Sequence, residues 1–466
     1  MTPMLDDTIA AISTAPGRAG IAIIRISGPQ ARAVARRMGI GELAPRSPRL
    51  SVVRHPAGEE LDRALVTYFP APGSFTGDDV VEISGHGGTL VPALVLEAAH
   101  AAGARAAEPG EFTRRAYLNG KLDLVQAEAT LDLIDARSAA HHRAALFQLE
   151  GGLSERVGAL RTRLIDLQAL LAYDIDFPGE DDGPVPHQRI LAAATRVESD
   201  IDDLLRHAPE GERLREGALV VFGGAPNVGK SSIFNGLLGS ERAIVTEIPG
   251  TTRDAIEAGT TIDGFPFRLV DTAGMRVAPE PVERIGIEVA RRYVSQADIV
   301  LLCVETGREP GAAERALERE AAAAGARVLH VRTKSDRAGL PASSLTDAVA
   351  AGRRAATSMG GGDPIAVSVR TAEGLAGLRA ALVEASFAGL RAAPEPALVT
   401  RKRQARALRR SLDEVGRFRA SFAEGHPAEI ASTHLQEAAR ALEELIGVTD
   451  VEDVLDSIFR SFCVGK

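Results

Sequence analysis

The sequence predicts a multidomain α/β and α chain: an α+β N-terminal domain, a helical bundle, and an αβ unit that interrupts the helical part. Three changes of texture along the chain predict it. Short β-like runs with Gly and Pro punctuation come first, apolar residues at helical spacing follow, and a buried-type strand then runs straight into a Gly-rich turn at Gly224.

From 1 to 120, the runs Ile21 to Ile26, Leu65 to Phe69 and Val80 to Ile83 alternate with helical stretches such as Leu90 to Ala102. From 121 to 216 the period is helical. Leu122, Val125, Ala129, Leu133 and Ala136 recur at three- and four-residue steps, as do Leu160, Leu164, Leu167 and Leu171, and then Ile190, Ala194, Val197, Ile201 and Leu204. The acidic, Pro/Gly-rich stretch Phe177 to Pro186 interrupts these helices. From 217 to 381, strands are expected at Phe267 to Val270, Ile299 to Val304, Val328 to Arg332 and Ile365 to Val367. From 382 to 466 the helical period returns, with Ile430, Ala438, Leu442 and Leu445 on one face. Helices on both sides suggest an αβ unit inserted between two halves of one bundle; the alternative is two unrelated helical regions.

At 466 residues the chain is too long for a single core. A net charge of −9 argues against a protein that coats nucleic acid through its overall field, and leaves local basic patches open. No run of about 18 apolar residues occurs, so no membrane partner is expected. The acidic opening MTPMLDDTIAAIS and only two cysteines fit a cytoplasmic location.

Gly224-Ala-Pro-Asn-Val-Gly229-Lys230-Ser231 fits G-x-x-x-x-G-K-[ST], after a strand and before a helix-like run. Its glycines let backbone N–H groups turn inward around a phosphate, and the helix N-terminus favours negative charge. Lys230 is placed to reach the β- and γ-phosphates and the Ser231 hydroxyl to ligate Mg²⁺. Asp271-Thr272-Ala273-Gly274 follows the apolar run FRLV, so Asp271 can hold the metal shell and the Gly274 N–H can sense the γ-phosphate. Between the two lies Gly250-Thr251-Thr252, whose hydroxyls can complete the Mg²⁺ shell. Thr333-Lys334-Ser335-Asp336 stands where G-domains carry Asn-Lys-x-Asp. The Asp336 carboxylate accepts N–H donors that guanine has and adenine lacks, which favours GTP. Thr333 in place of Asn weakens one supporting contact, and Ser368-Val-Arg stands where Ser-Ala-Lys usually backs the base. Met275, after DTAG, occupies the position of the water-orienting Gln of Ras-type proteins, and a thioether cannot do that work.

Several other residues have bland readings. Cys303 reads as core, and Cys463 either as a catalytic thiol or as a small apolar residue packing the last helix. His141 and His142 read as exposed, and His86 as pocket lining or an ordinary turn. The basic run Arg401, Lys402, Arg403, Arg406, Arg409 and Arg410 reads as a solvated helix face before an RNA patch.

The runs PNVGKSS, IVTEIPGTTRD and DTAGMR…VERIGIE, with the opening DDTIAAISTAPGRAGIAIIRISGP, the segments PGSFTGDDVVEISGHGG and PGEFTRRAYLNGKLDLVQAEA, and the terminal FCVGK, resemble the MnmE (TrmE) family of tRNA-modification GTPases. The resemblance spans the chain in order. It implies an N-terminal domain (1–120) that binds a tetrahydrofolate, in the 5-formyl or methylene form, and dimerises. It implies a helical domain in two parts (121–216 and 382–466) and an inserted Ras-like G-domain (217–381). It further implies a homodimer that joins an FAD-containing MnmG-like flavoprotein in a heterotetramer. Together they would add a carboxymethylaminomethyl or aminomethyl group to the wobble uridine of certain tRNAs, with K⁺-dependent GTP hydrolysis.

Carried over residue by residue, the GTP site would comprise Asn227, Val228, Gly229, Lys230, Ser231, Ser232, Thr246, Glu247, Ile248, Pro249, Gly250, Thr251, Thr252, Asp271, Thr272, Ala273, Gly274, Lys334, Asp336 and Ser368. Mg²⁺ would sit on Ser231 and Thr252, and K⁺ on Asn227, Thr246, Ile248 and Thr251. Catalysis would rest on Glu283, Lys230 and Asn227, with Glu283 positioning the attacking water in place of the missing Gln; the bland reading of Glu283 is a surface carboxylate paired to Arg284 or Arg276. Folate would meet Arg25, Glu82, Lys121 and Lys466, and Ala19 stands where the family pattern has Gly beside that pocket. An alternative function is a GTP-dependent RNA or ribosome-assembly switch with no role in modification.

Overall fold

Alternation of apolar and polar residues in the first 120 residues produces a six-stranded sheet in a computed structural model that describes residues 7–176, 185–239, 256–271, 291–338, 347, 350, 363–393, 395–396, 399–448 and 452–465. The strands are β1 (Ile9–Ile12), β2 (Ile21–Ser27), β3 (Arg49–Arg54), β4 (Glu60–Phe69), β5 (Val80–His86) and β6 (Arg105–Ala106), in the order β3-β4-β5-β2-β1-β6. All neighbours are antiparallel except β1 and β6. Along β2 the period of two is explicit: Ala22, Ile24 and Ile26 are buried while Ile21 is exposed. Helices α1 (Ala31–Arg37) and α2 (Leu90–Ala101) supply Val34, Ala35, Val95, Ala98 and Ala99 to the core formed with Ile24, Ile26, Val66, Val81 and Ile83.

The chain forms two compact units, one of residues 1–131, 149–162 and 439–466 and one of residues 132–148 and 163–438. In the first, α3 (Glu111–Leu118) is anchored by buried charge. The Arg115 guanidinium pairs with Glu111 at 2.9 Å and with Asp7, while Arg105 pairs with both carboxylates. Burial alone would raise the Glu111 pKa, but hydrogen bonds from Arg105, the Glu108 N–H and Arg115 outweigh it and hold the carboxyl below its ordinary range. The last helix, α14 (Glu452–Phe459), returns to this unit, with Leu455, Ile458, Phe459 and Phe462 packing on Leu124, Ala127 and Leu131 of α4 (Leu124–Asp135). The tail beyond it joins the N-terminal domain: Val464 bridges Pro109, and Ser13 Oγ donates to the Gly465 carbonyl at 3.0 Å. Cys463 is exposed, so the expectation that its side chain packs the last helix is corrected; its backbone carbonyl is what the tail uses, accepting from the Gly110 N–H.

The second unit holds α5 (Ala139–Leu149, up to residue 148), the rest of α6 (Gly152–Asp176), α7 (His187–Leu205) and α8 (Ala208–Glu216), then a second six-stranded sheet. Its strands are β7 (Ala218–Gly223), β8 (Ile256–Ile262), β9 (Phe265–Asp271), β10 (Ile299–Glu305), β11 (Arg327–Thr333) and β12 (Ile365–Val367), in the order β12-β11-β10-β7-β9-β8. The pairs are parallel except β8 with β9. Every residue of β7 is buried, and six of the seven in β10, as expected of a parallel sheet covered on both faces. Cys303 in β10 is fully buried, as its apolar strand implied, and burial pushes its thiol up to about 12. Helices α9 (Lys230–Leu238) and α10 (Ala312–Ala323) flank the sheet, which α11 (Leu375–Ala392) leaves. The chain continues through α12 (Lys402–Ala423) and α13 (Ala428–Ile446), so the αβ unit is inserted between helical segments.

Residues 381 and 382 lie within α11, which kinks further on at Phe387 (φ −140°, ψ 23°). That ring packs on Phe265 and Phe267, with centroids 4.7 and 5.6 Å away. The amides freed beyond the kink are not wasted. Glu210 of α8 accepts from Gly389 N at 3.1 Å and Leu390 N at 2.6 Å. Arg213 of the same helix donates to the Ser386 carbonyl and to Asp298, whose other oxygen accepts the Leu219 N–H at 2.8 Å. Asp132 closes the joint, accepting from Arg215 at 3.1 Å and from Arg401 at 2.6 Å. Arg401 is therefore not part of a solvated face. Lys402, Arg406, Arg409 and Arg410 are exposed.

His141 is also corrected: it is 4% exposed, because α5 turns the face Ala140, His141, Ala144, Ala145 and Gln148 inward, whereas His142 is exposed. Burial holds the His141 imidazole below its ordinary pKa despite the nearby Asp132. A depressed histidine stabilises the fold fully above its ordinary value of 6.5 and loses that contribution as pH falls through the lower folded value. Acid destabilisation below about pH 6.5 should therefore be blunted in His141→Gln, read as the pH dependence of the melting temperature. Asp132→Ala, which removes the carboxylate that Arg215 and Arg401 share, should cost about 3 kcal/mol, measured as an earlier urea midpoint.

Candidate functional site

The site is built where β7 ends. Gly224 follows with φ +133°, and a Cβ there would lie 2.2 Å from the Cys303 carbonyl oxygen, so only glycine lets the loop cross β10 this closely. Asn227 (φ +61°) and Gly229 (φ +101°) complete the turn, and Gly229 precedes the first residue of α9. Positive φ at these positions bends the loop around the helix N-terminus, the arrangement that presents backbone N–H groups to an anion. Lys230 is buried, and its ammonium donates to the Gly224 and Ala225 carbonyls at 3.0 and 2.8 Å. Ser231 Oγ donates to Asp271 Oδ2 at 2.7 Å, which puts a hydroxyl and a carboxylate from distant segments side by side. Such hard oxygen donors at the end of a parallel strand fit a Mg²⁺ shell. Val228 is buried under the loop, whereas Asn227 and Ser232 are exposed.

The second half of the site lies at the ends of β11 and β12. Thr333 Oγ1 donates to the Val228 carbonyl, and its own carbonyl accepts from Thr306 N and Oγ1 at 3.0 and 2.8 Å. The hydroxyl thus ties the base-side segment to the phosphate loop, at the position where G-domains carry Asn. Lys334 (φ +56°) pairs with Glu305 Oε2 at 2.9 Å, and Arg337 pairs with the other oxygen. Asp336 Oδ1 accepts from Ser368 Oγ at 2.7 Å and Oδ2 from Arg370 at 2.9 to 3.0 Å. The Ser368 hydrogen bond and then Arg370 hold the Asp336 carboxyl below its usual range, so it is an acceptor at neutral pH. The structure therefore gathers Val228, Gly229, Lys230, Ser231, Asp271, Lys334, Asp336 and Ser368 around the carboxyl end of one sheet. Glu305, Thr306 and Arg370 belong with them but carry no motif that would mark them in sequence.

Thr246, Glu247, Ile248, Pro249, Gly250, Thr251, Thr252, Thr272, Ala273, Gly274 and Glu283 lie outside the described residues, as do Met275 and Lys466. In the N-terminal domain, Arg25 and Glu82 face each other across β2 and β5 and pair at 2.8 Å. The Arg25 guanidinium stands 5.5 Å from the Phe75 ring and 5.7 Å from Phe112. Lys121 donates to the Pro72 carbonyl at 3.1 Å, on the same loop that carries Phe75. His86 ends β5 and meets Asp62 twice, through its N–H at 2.8 Å and Nδ1 at 2.7 Å, so it is neither a simple turn residue nor unpartnered. Among the described residues no group of His, Cys, Asp and Glu has metal-site geometry, and no helix is long and apolar enough to cross a membrane.

A parallel sheet with this loop, a Ser–Asp pair beside it and an Asp-based base site define a P-loop GTPase. Comparison gives the family: residues 124–463 match the MnmE helical domain and residues 8–121 the GTP-binding protein TrmE N-terminus. The tRNA modification GTPase MnmE of Azoarcus sp. (strain BH72) is 43% identical over 468 residues, covering 100% of this chain and 99% of that one. That of Heliobacterium modesticaldum is 41% identical over 476 residues, covering 99% and 100%. Among solved structures, the G domain of the T. maritima FeoB iron transporter matches 36% of this chain and 98% of its own, at 28% identity and a TM-score of 0.26. The chain belongs to the MnmE family of tRNA modification GTPases.

Thr333→Val keeps the volume and removes the hydroxyl, leaving the buried Val228 carbonyl short of a donor. GDP affinity should fall about fivefold, the worth of one ordinary hydrogen bond, in a fluorescent-nucleotide titration.

Proposed function

We propose that the protein is a K⁺-dependent GTPase that acts with an FAD-containing, MnmG-like partner. Together they add a carboxymethylaminomethyl or aminomethyl group to the wobble uridine of certain tRNAs. The observation that carries the reading is the phosphate loop with Asn227 at its turn and Ser231 beside Asp271, in a chain that aligns end to end with tRNA modification GTPases. The four-part division at 120, 216 and 381 belongs to the same proposal, as do a homodimer, a heterotetramer with the flavoprotein and a cytoplasmic location.

In this reading the loop's N–H groups hold the phosphates, and Lys230 exchanges its two carbonyl partners for phosphate oxygens. Ser231 and Thr252 hold Mg²⁺, while Asn227, Thr246, Ile248 and Thr251 offer oxygens to K⁺. The exposed Asn227 amide, carried on a positive-φ turn, fits a monovalent ion's need for neutral oxygen. Bound there, K⁺ supplies the positive charge that an arginine finger supplies elsewhere. Glu283 positions the attacking water, a task that Met275 cannot perform. Glu247, Pro249, Gly250, Thr272, Ala273 and Gly274 complete the nucleotide contacts, with Asp336 reading guanine.

A tetrahydrofolate, in its 5-formyl or methylene form, would be held by Arg25, Glu82, Lys121 and Lys466 and would supply the one-carbon unit. The pairing of a carboxylate with a guanidinium beside two aromatic rings suits a flat heterocycle bearing N–H donors and polar oxygens. The tail's attachment to Ser13 through Gly465 carries the chain toward this domain, the end on which Lys466 lies.

GTP turnover should be many-fold faster in K⁺ than in Na⁺, and Glu283→Ala should lose most of it while retaining nucleotide binding. Equal rates in the two salts would count against the ion's role. Unchanged wobble uridines in tRNA from a deletion strain would favour a GTP-dependent switch instead.

A further inference from the structure

The carboxylate assigned to the base stands on a turn, and one residue outside that turn holds both of its ends. Residues Lys334 to Arg337 close on themselves, the Arg337 N–H donating to the Lys334 carbonyl at 3.1 Å, and Asp336 lies within the turn. Lys334 Nζ donates to Glu305 Oε2 at 2.9 Å, and Arg337 Nη1 donates to Glu305 Oε1 at 3.0 Å. A single carboxylate at the end of β10 thus takes the first and the last side chain of the turn.

The strand register explains the reach. β10 and β11 are parallel with Glu305 beside Thr333, so the last side chain of β10 stands next to the residue that leads into the turn. Thr306 N and Oγ1 both donate to the Thr333 carbonyl and fix the backbone at that point. Lys334 follows at φ +56°, a left-handed conformation that a lysine adopts only at a cost. The turn therefore does not set itself, and an anchor outside it counts.

The two arms of that anchor differ in weight. The Lys334 and Glu305 side chains are 26% and 33% exposed, whereas Arg337 is 68% exposed and its ion pair contributes little. The Lys334 hydrogen bond, with smaller help from Arg337, outweighs burial and holds the Glu305 carboxyl below its ordinary range, so it is charged at neutral pH. From the other side, Ser368 Oγ and Arg370 Nε donate to the Asp336 carboxylate itself. Those two contacts aim its oxygens, while Glu305 fixes the backbone that carries them.

We propose that Glu305 is a positioning residue for guanine recognition. Acting through Lys334, it sets the turn so that Asp336 meets the N1–H and the 2-amino group of the base together. This deepens the guanine-nucleotide reading of the site and rests on it. Guanine brings two donors, which a carboxylate accepts together only in one orientation; hypoxanthine lacks the 2-amino group and brings one. Displacing the turn therefore costs guanine more than hypoxanthine, whereas a general loss of stability weakens both alike.

The test compares GDP and inosine diphosphate in the full-length chain at fixed salt, by competition against a fluorescent guanine nucleotide. Glu305→Ala should weaken GDP about tenfold and inosine diphosphate about threefold, so the preference for guanine falls about threefold. Glu305→Gln, whose amide oxygen still accepts from Lys334, should fall between Glu305→Ala and the parent chain. Added to Asp336→Ala, Glu305→Ala should leave the preference where Asp336→Ala alone puts it. A preference that is unchanged or raised in Glu305→Ala, or that falls further in the double variant, overturns the proposal. Asp336→Ala separates the two levels. If it abolishes the preference while the Glu305 variants keep it, only the positioning fails. If it keeps the preference, the base-reading role of Asp336 fails, and the positioning with it.

Discussion

The second unit depends on one constraint: the chain that leaves the helices through α8 must come back beside it. Gly211 marks how close the return is, since a Cβ there would lie 1.9 Å from the Val399 carbonyl oxygen. Glu210, Arg213 and Arg215 then bind the returning backbone and side chains from Ser386 to Arg401, directly or through Asp132. Asp298 extends the same network to Leu219, the second residue of β7, and so to the strand that ends in the phosphate loop. Loop closure by itself favours no particular geometry for the inserted αβ unit. These polar contacts at the crossing supply one.

From that joint the site follows by packing. Because β7 and β10 are parallel and buried on both faces, their carboxyl ends meet at one edge, and Gly224 can pass over Cys303 only without a side chain. The phosphate half and the base half are then linked by side chains that reach across strands. Thr333 ties to Val228, and Ser231 to Asp271. Neither link is local in sequence, yet both use the short hydroxyl residues that suit a tight approach between loops.

The main elements were legible because they are periodic. The alternation in β2 and the three- and four-residue steps in α7 each reported a buried face directly. The phosphate loop was legible because its glycines answer a backbone demand that few other residues meet. What stayed hidden is pairwise. Nothing local marks His141 as buried, since its inward face is set by neighbouring helices and not by its own polarity. Nor does the basic run at 401–410 reveal that Arg401 belongs to Asp132, a residue far upstream. The kink at Phe387 was equally silent, because no Pro marks it and the rings it packs on, Phe265 and Phe267 of β9, lie far upstream.

The departures from the usual G-domain motifs have different physical weights. Replacing Asn by Thr at 333 costs less than the motif suggests, since one hydroxyl still spans the gap to Val228. Arg at 370 pairs with Asp336, its Nε donating to Oδ2 at 3.0 Å and a terminal nitrogen standing 2.9 Å from the same oxygen, where a lysine would act as a point charge. Lys230 likewise has internal partners, the Gly224 and Ala225 carbonyls of its own loop. Both ends of the site are thus held in shape by internal partners. Any ligand that binds these groups gains only the difference between its own bonds and the internal ones it breaks.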